Sequence, residues 1–364
     1  MNPQFQSLMN EATRLTRAGD LKAAAAAIQS ALGGAATPGS PSPVPPFAVI
    51  DVEAREVRRE TPQAHEARAE VPEPRAPGAH SPELGSFVAG SYANAAARRD
   101  YKFYIPPAAG SGPLPLVVML HGCTQTPDDF AAGTDMNEVA RSRGCYVLYP
   151  AQSRKANPQG CWNWFKHSHQ QRGRGEAGLL AGMTHELMSR HSIDPQRVYV
   201  AGLSAGGAMA AILGAAYPDL YAAVGVHSGL AAGAATDLPS ALAAMKGGAT
   251  GDGGAVHGVP TIVFHGDADS TVHAANAERV VAACAGPAAA VDTRRVEHGG
   301  DRACTRRIYH DAGGSVIAEH WLVHGAPHAW SGGSSRGSYT DARGPDASAE
   351  MVRFFLEHAR QPLQ

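Results

Sequence analysis

VYVAGLSAGGAMAA, Val198–Ala211, changes character twice within one short stretch. Val198 to Ala201 is an apolar run of strand type, Gly202 to Gly206 is a turn of small residues, and the chain then continues through Ala, Met, Ile and Leu as a helix. A serine with glycine two positions to either side, after a strand and before a helix, is G-x-S-x-G in the context that makes it a nucleophile elbow. So tight a turn strains the backbone of the central residue. Gly202 and Gly206 leave room for neighbouring chain, and Gly207 lets the helix pack close to its sheet. The Ser204 hydroxyl is then presented near the positive end of the following helix.

Outward from this turn the chain alternates strand and helix signals. "YKFYIP", "LPLVVMLHG", "CYVLYP", "RVYVAGLS", "YAAVGVHSG", "TIVFHGDAD" and "VIAEHWLVHG" read as strands. "TDMNEVARSRG", "GEAGLLAGMTHELMSRH", "AANAERVVAAC" and "SAEMVRFFLEHA" read as helices. Short apolar strands separated by amphipathic helices are βαβ units, whose right-handed crossovers build a mostly parallel sheet covered on both faces. Ligands gather at the carboxyl ends of such strands, so the post-strand loops carry the chemistry.

A serine hydroxyl is a poor nucleophile at neutral pH and needs a base, itself oriented by a carboxylate. After an elbow these follow in the order acid, then histidine, each behind a strand. "TIVFHGDADSTV" supplies Asp267 and Asp269. Asp269 lies further along the turn, where it can swing toward a histidine, while Asp267 suits bracing of the loop. "WLVHGAPHAWSGG" supplies His324, still at the strand end, and His328, in a Gly/Pro loop that suits a general base. Of 17 histidines, His167, His169, His265, His273 and His320 read as surface or structural rings. An oxyanion needs two donors: the N–H of Ala205, after the serine, and that of Cys123 in "HGCTQ", after the strand "LVVML". Cys123 as a thiol nucleophile is the alternative, with no histidine following it in an arrangement that competes with the serine turn.

The other segments set bounds. A formal net charge of −2 argues against nucleic acid and acidic membranes as partners, and no apolar run is long enough to span a bilayer. No basic n-region with an apolar h-region opens the chain, which favours a cytoplasmic product. Residues 1–32 read as a helical hairpin, similar to one tetratricopeptide unit, that packs on its own catalytic domain or mediates self-association with a second copy. Residues 33–82, dense in Pro, Ala and charge, read as a disordered linker, within which "FAVIDVEAREV" could dock as a short strand. Residues 83–364 form the catalytic domain. Five scattered cysteines make no disulfide scaffold, and zinc-type spacings are absent, so neither metal nor cofactor is expected.

"LHGCTQ", "NPQGCWNWF", "RVYVAGLSAGGAMA", "FHGDADSTV" and "HAWSGG", in this order, resemble the polyhydroxybutyrate depolymerase family of esterases, neighbours of the feruloyl and acetylxylan esterases. The resemblance covers roughly Phe87 to the C-terminus. It implies an α/β-hydrolase fold, carboxylic ester hydrolysis, a nucleophile at Ser204, an acid at Asp269 and a base at His328. Members that attack extracellular polymer carry a signal peptide and often a substrate-binding domain. Neither is visible here, and an extracellular location is the alternative that the family offers.

"QGCWNWF" follows a strand on the same side of the sheet, so Trp162 or Trp164, together with Trp330, is expected to line a pocket for a polyester chain or an aromatic acyl group. The bland alternative is that one of these indoles plugs the cleft wall. Cys123 and Cys161 each abut such a loop, which makes a bridge conceivable, and the missing signal argues against it. Three readings follow: an esterase for short hydroxyalkanoate esters, a feruloyl or acetylxylan type of esterase, or a non-catalytic binding protein in which the hairpin does the work.

Overall fold

The computed structural model describes residues 84–94, 97–247, 258–286, 289–297 and 302–360. The hairpin and linker expected over 1–32 and 33–82 lie outside them.

A ten-stranded sheet runs in the order β1-β2-β4-β3-β5-β6-β7-β10-β9-β8. Its centre is β4 (Tyr146–Pro150), β3 (Leu114–Leu120), β5 (Ile193–Leu203), β6 (Ala223–His227), β7 (Thr261–Gly266) and β10 (Val316–Val323), each parallel to its neighbour. The residues of β4, β6 and β7 are buried throughout, the pattern a parallel strand covered on both faces requires. Alternation divides them between two cores: Leu116, Val118 and Leu120 face one, Val117 and Met119 the other. On the first face lie α3 (Gly175–Arg190), α4 (Ala205–Ala216) and α6 (Ala275–Ala285); on the second lie α1 (Pro127–Thr134), α2 (Met136–Arg143) and α7 (Ala347–Glu357). This is the mostly parallel α/β architecture that the strand–helix alternation leads one to expect.

Antiparallel strands close both edges. β1 (Ser86–Ala93) pairs with β2 (Arg98–Ile105), which runs antiparallel to β4; at the far edge β9 (Ala303–His310) runs antiparallel to β10 and to β8 (Ala290–Glu297). β1, β8 and β9, at or next to the sheet's edges, escape a search for apolar runs because such strands mix polar with apolar residues: AVDTRRVE and ACTRRIYH carry arginines among their apolar residues. The helix expected over "TDMNEVARSRG" is α2; a further helix, α1, precedes it, and Asp135, in the left-handed region with φ 50°, separates the two. An unexpected helix, α5 (Leu238–Met245), follows β6 and is started by a reciprocal cap between Asp237 and Ser240.

His320 sits inside the sheet on β10, 2% exposed, with no hydrogen-bond partner at either ring nitrogen. Burial, helped by the charges of Arg307 and His265, pushes its pKa down to about 3. The folded chain therefore holds this ring neutral while the unfolded chain protonates it below about pH 6.5. Stability falls as pH drops from there toward 3, by at most about 1.4 kcal/mol per pH unit from this ring. Urea unfolding at pH 7 and pH 4.5 should show a lower midpoint in acid, and His320→Leu should make the drop shallower. It should not vanish, because burial also lowers the pKa of His121 and His227.

Candidate active site

β5 ends at Leu203 and α4 begins at Ala205, so Ser204 alone makes the turn, at φ 58° and ψ −118°. A β-carbon on Gly202 or Gly206 would overlap the backbone at Leu120, which is why only glycine fits at either position. The Ser204 N–H donates to the His227 carbonyl (2.8 Å) and its carbonyl accepts from Ala208 N–H (2.9 Å), so the backbone is held on both sides. Such strain persists only where the surroundings over-determine it. Ala205 opens α4, and its N–H has no acceptor within the helix.

Further along the sheet, in the loops after β7 and β10, stand the candidate acid and base. Asp269, in the loop after β7, has a fully buried carboxylate. Its Oδ1 accepts from the N–H groups of Thr271 and Val272 (2.8 Å each), and its Oδ2 lies 2.6 Å from His328 Nδ1 and 3.4 Å from His265 Nε2. Burial by itself would raise its pKa, but the hydrogen bonds from His265 and His328 outweigh it and hold the carboxyl ionised, well below the usual range. His328 is partly exposed, in the loop after β10. Asp267, the other candidate acid, binds His324 Nδ1 (2.8 Å) and Gly325 N–H (2.6 Å), bracing the turn that leads to His328.

His227, at the end of β6, belongs to none of the sequence motifs, although it stands at a strand's carboxyl end beside the serine strand. Its carbonyl takes the Ser204 N–H, and its Nε2 accepts the Ser331 N–H (2.9 Å), so one residue ties the serine turn to the His328 loop. Because Nε2 accepts, Nδ1 carries the proton and donates to Ser228 Oγ (3.2 Å). Burial, with the charges of His265 and His328, lowers the pKa of this ring far enough to keep it neutral.

The loop after β3 is braced in the same way. His121 accepts Gln152 N–H at Nε2 (3.1 Å) and donates from Nδ1 to the Gly122 carbonyl (2.7 Å), while the Gln125 amide oxygen takes the Gly122 N–H (2.9 Å). Cys123 is bonded to Cys161, against the expectation drawn from the missing signal. The bridge also removes the thiol that the alternative nucleophile needed. It joins the β3 loop to the segment carrying Trp162 and Trp164.

The three tryptophans part company. Trp164 lines a cavity of about 480 Å³ together with Ser204, Ala205 and Cys123. Trp162 and Trp330, both expected at the substrate, are instead 0% and 1% exposed and are not among the lining residues. Trp162 donates from Nε1 to the His121 carbonyl (3.1 Å); Trp330 donates to Ser348 Oγ (3.1 Å) and stacks on His227 at 5.0 Å. Their hydrogen bonds and ring contacts draw them into the core behind the loops. Among the described residues no group of three or more His, Cys, Asp or Glu could hold a metal ion, and no helix is long and apolar enough to cross a membrane.

The Trp162–Trp164 segment hangs on a buried carboxylate. Glu176, 2% exposed at the start of α3, accepts from Asn163 N–H (2.7 Å), Asn163 Nδ2 (2.7 Å) and Gln152 Nε2 (2.6 Å), with Arg99 at 3.8 Å. Burial would raise its pKa, and bonds from His169, Gln152 and Asn163 lower it below the usual range.

Residues 99–303 match the family described as Esterase PHB depolymerase. The chain is 33% identical over 231 residues to a poly(3-hydroxyalkanoate) depolymerase C of Paucimonas lemoignei, covering 59% of this chain and 54% of that protein. It is 31% identical over 266 residues to a poly(3-hydroxybutyrate) depolymerase of Ralstonia pickettii, covering 66% and 54%. The chain thus spans about half the length of these relatives. Among solved structures, an acetyl xylan esterase from Aspergillus awamori superposes with a TM-score of 0.56 at 21% identity, over 71% of this chain and 94% of that one. The fold is the α/β-hydrolase fold.

Glu176→Ala should leave Arg99, Gln152 and Asn163 without their buried acceptor and cost about 3 kcal/mol of stability, read by urea unfolding at pH 7.

Proposed function

The chain belongs to the esterase PHB depolymerase family, and on that footing we propose that it is a serine hydrolase of carboxylic esters, cleaving short-chain polyhydroxyalkanoate polymer or oligomers, hydroxybutyrate esters above all. One observation carries the reading: a serine held in a strained turn at the head of a helix opens onto an apolar cavity, and a short Asp269–His328 hydrogen bond stands on the loops behind neighbouring strands.

In this reading His328 Nε2 takes the proton from Ser204 Oγ as the oxygen attacks the ester carbonyl. Asp269 binds Nδ1–H, which fixes the tautomer with a free Nε2 and stabilises the imidazolium that forms. The developing oxyanion takes hydrogen bonds from the N–H groups of Ala205 and Cys123, the first of them favoured by the positive end of α4. His328 then returns its proton to the leaving alcohol, which departs and leaves an acyl group on Ser204. Water, deprotonated by the same ring, attacks this acyl-enzyme and releases the acid, restoring the serine. Every proton moves between His328, serine, alcohol and water, so the scheme uses no cofactor.

A feruloyl ester is the second reading, favoured by the edge-on pair of Trp164 and Phe165 in the cavity wall, with ring centroids 5.9 Å apart. An aromatic acyl group would find flat area there.

Acid release followed by pH-stat from soluble hydroxybutyrate oligomers and from methyl ferulate separates the two. Oligomer should be cleaved faster; faster ferulate cleavage would move the protein to the second reading. Ser204→Ala and His328→Ala should each lower kcat on the order of 10⁴-fold or more, and Asp269→Asn about 10⁴-fold, without loss of the folded state by circular dichroism. Retained turnover in Ser204→Ala would remove the nucleophile assignment.

A further inference from the structure

α5 presents a stripe to the Ser204 cavity. Leu238, Ala241, Leu242 and Met245 stand at i, i+3, i+4 and i+7, on one face of the helix, and all four line that cavity. Ala241 is 2% exposed, while Leu238 and Leu242 remain 56% and 54% exposed, so the apolar stripe runs out of the cavity and onto the surface at its mouth.

Nothing about α5 is loose. Its start is capped reciprocally by Asp237 and Ser240, and Ala241 and Ala244 are packed into the core. Its last turn is held by Asn276 Nδ2 on the Ala244 carbonyl (2.9 Å) and by His273 N–H on the Met245 carbonyl (2.7 Å). On the opposite side, Gln170 donates to the Trp164 carbonyl (2.9 Å) and to the Ala235 carbonyl (2.7 Å), joining the tryptophan segment to the approach of α5. Two large leucines are thus held out toward water on a rigid helix, beside the nucleophile. A scattered exposed leucine needs no explanation, but two on one stripe continuous with a cavity mark a binding surface.

The cavity wall narrows the chemistry. No Asp, Glu, Lys, Arg or His stands among the described residues lining it, and its side-chain hydrogen-bonding groups are those of Asn157, Gln159, Ser204 and the indole N–H of Trp164. A sugar residue, with a hydroxyl on nearly every carbon, would lose hydrogen bonds to water here that this wall does not replace. An aliphatic polyester exposes only methyl and methylene groups and weakly accepting ester carbonyls. A volume of about 480 Å³ is several times that of one four-carbon hydroxyacyl unit.

We propose that the α5 stripe is the wall against which the second and following units of an aliphatic polyester chain lie, making the site selective for oligomers over single short esters. The inference rests on the esterase reading above and adds the residues that set chain preference. Leu238 and Leu242 would bury their exposed faces against the units beyond the first, so they act on oligomers more than on a two-carbon acyl group.

The test is the double substitution Leu238→Ser and Leu242→Ser, at exposed positions where a polar side chain is tolerated. The selectivity, kcat/KM for hydroxybutyrate trimer divided by kcat/KM for p-nitrophenyl acetate, should fall about tenfold, chiefly through KM for the trimer. An unchanged ratio overturns the inference. In parallel, trimer binding to Ser204→Ala protein, measured by calorimetry, should weaken about tenfold when both leucines are replaced. Equal binding with and without them, or no binding at all, overturns the inference as well. Turnover of p-nitrophenyl acetate retained in Ser204→Ala would instead sink the serine reading, and the binding measurement would still decide the wall.

Discussion

The close approach of the β5–α4 turn to the end of β3 is the constraint on which the rest of the site depends. Gly202 and Gly206 lie so near the Leu120 backbone that no side chain fits between them. That contact sets the head of α4 beside the loop after β3, and so Ala205 and Cys123 line one cavity. It also forces Ser204 into a positive-φ conformation that a connection without such crowding would avoid. The strain is offset by the two backbone hydrogen bonds at Ser204 and by the packing of α4, whose first ten residues, Ala205 to Gly214, are all buried.

Around this turn the chain braces its loops with polar groups buried behind them. His121, just after β3, and His227, at the end of β6, each accept a backbone N–H at Nε2, so both rings are kept neutral and in one tautomer. His265 stands on the far side of Asp269, donating from Nε2 to the Val272 carbonyl at 2.8 Å, and so closes the pocket in which that carboxylate sits. Glu176 anchors the tryptophan segment, and the Cys123–Cys161 bridge joins that segment to the β3 loop. Dipoles aimed before the substrate arrives need no reorganisation during reaction, and these groups are the means by which a loop-built site is held still. Neutral buried rings have a cost: they resist protonation only while the fold lasts, so the scaffold that positions the site is also what acid attacks.

How much of this was legible in the sequence depends on how local the signal is. The elbow was readable because strand, small turn and helix are consecutive, as were the parallel strands, whose apolar runs need no partner to be recognised. Asp269 could be preferred to Asp267 from its place in the turn, and the structure gives the two different histidines. What escaped has a common cause. His227 acts through its carbonyl and a ring nitrogen facing a loop about a hundred residues away in sequence, a separation of 104 between the paired residues. Trp162 and Trp330 look alike to Trp164 in composition, but their N–H partners, the His121 carbonyl and Ser348, are distant in the chain. Compartment argues against the bridge, but the approach of two loops forms it, with Cα atoms 4.2 Å apart.

By itself the sequence determined the alternation of elements, hence a parallel sheet with its loops at one end, and the one turn whose residue sizes leave a serine no other conformation. These follow from nearest-neighbour sterics and periodicity, which are written in consecutive residues. Only the tertiary structure decided which tryptophan meets the cavity, that α5 forms its wall, and that a carboxylate at the start of α3 holds the opposite side. Those outcomes turn on which buried polar group finds a partner and which apolar face is left uncovered. Both are settled by contacts between segments far apart in the chain, where the need to satisfy every buried donor and acceptor leaves few arrangements.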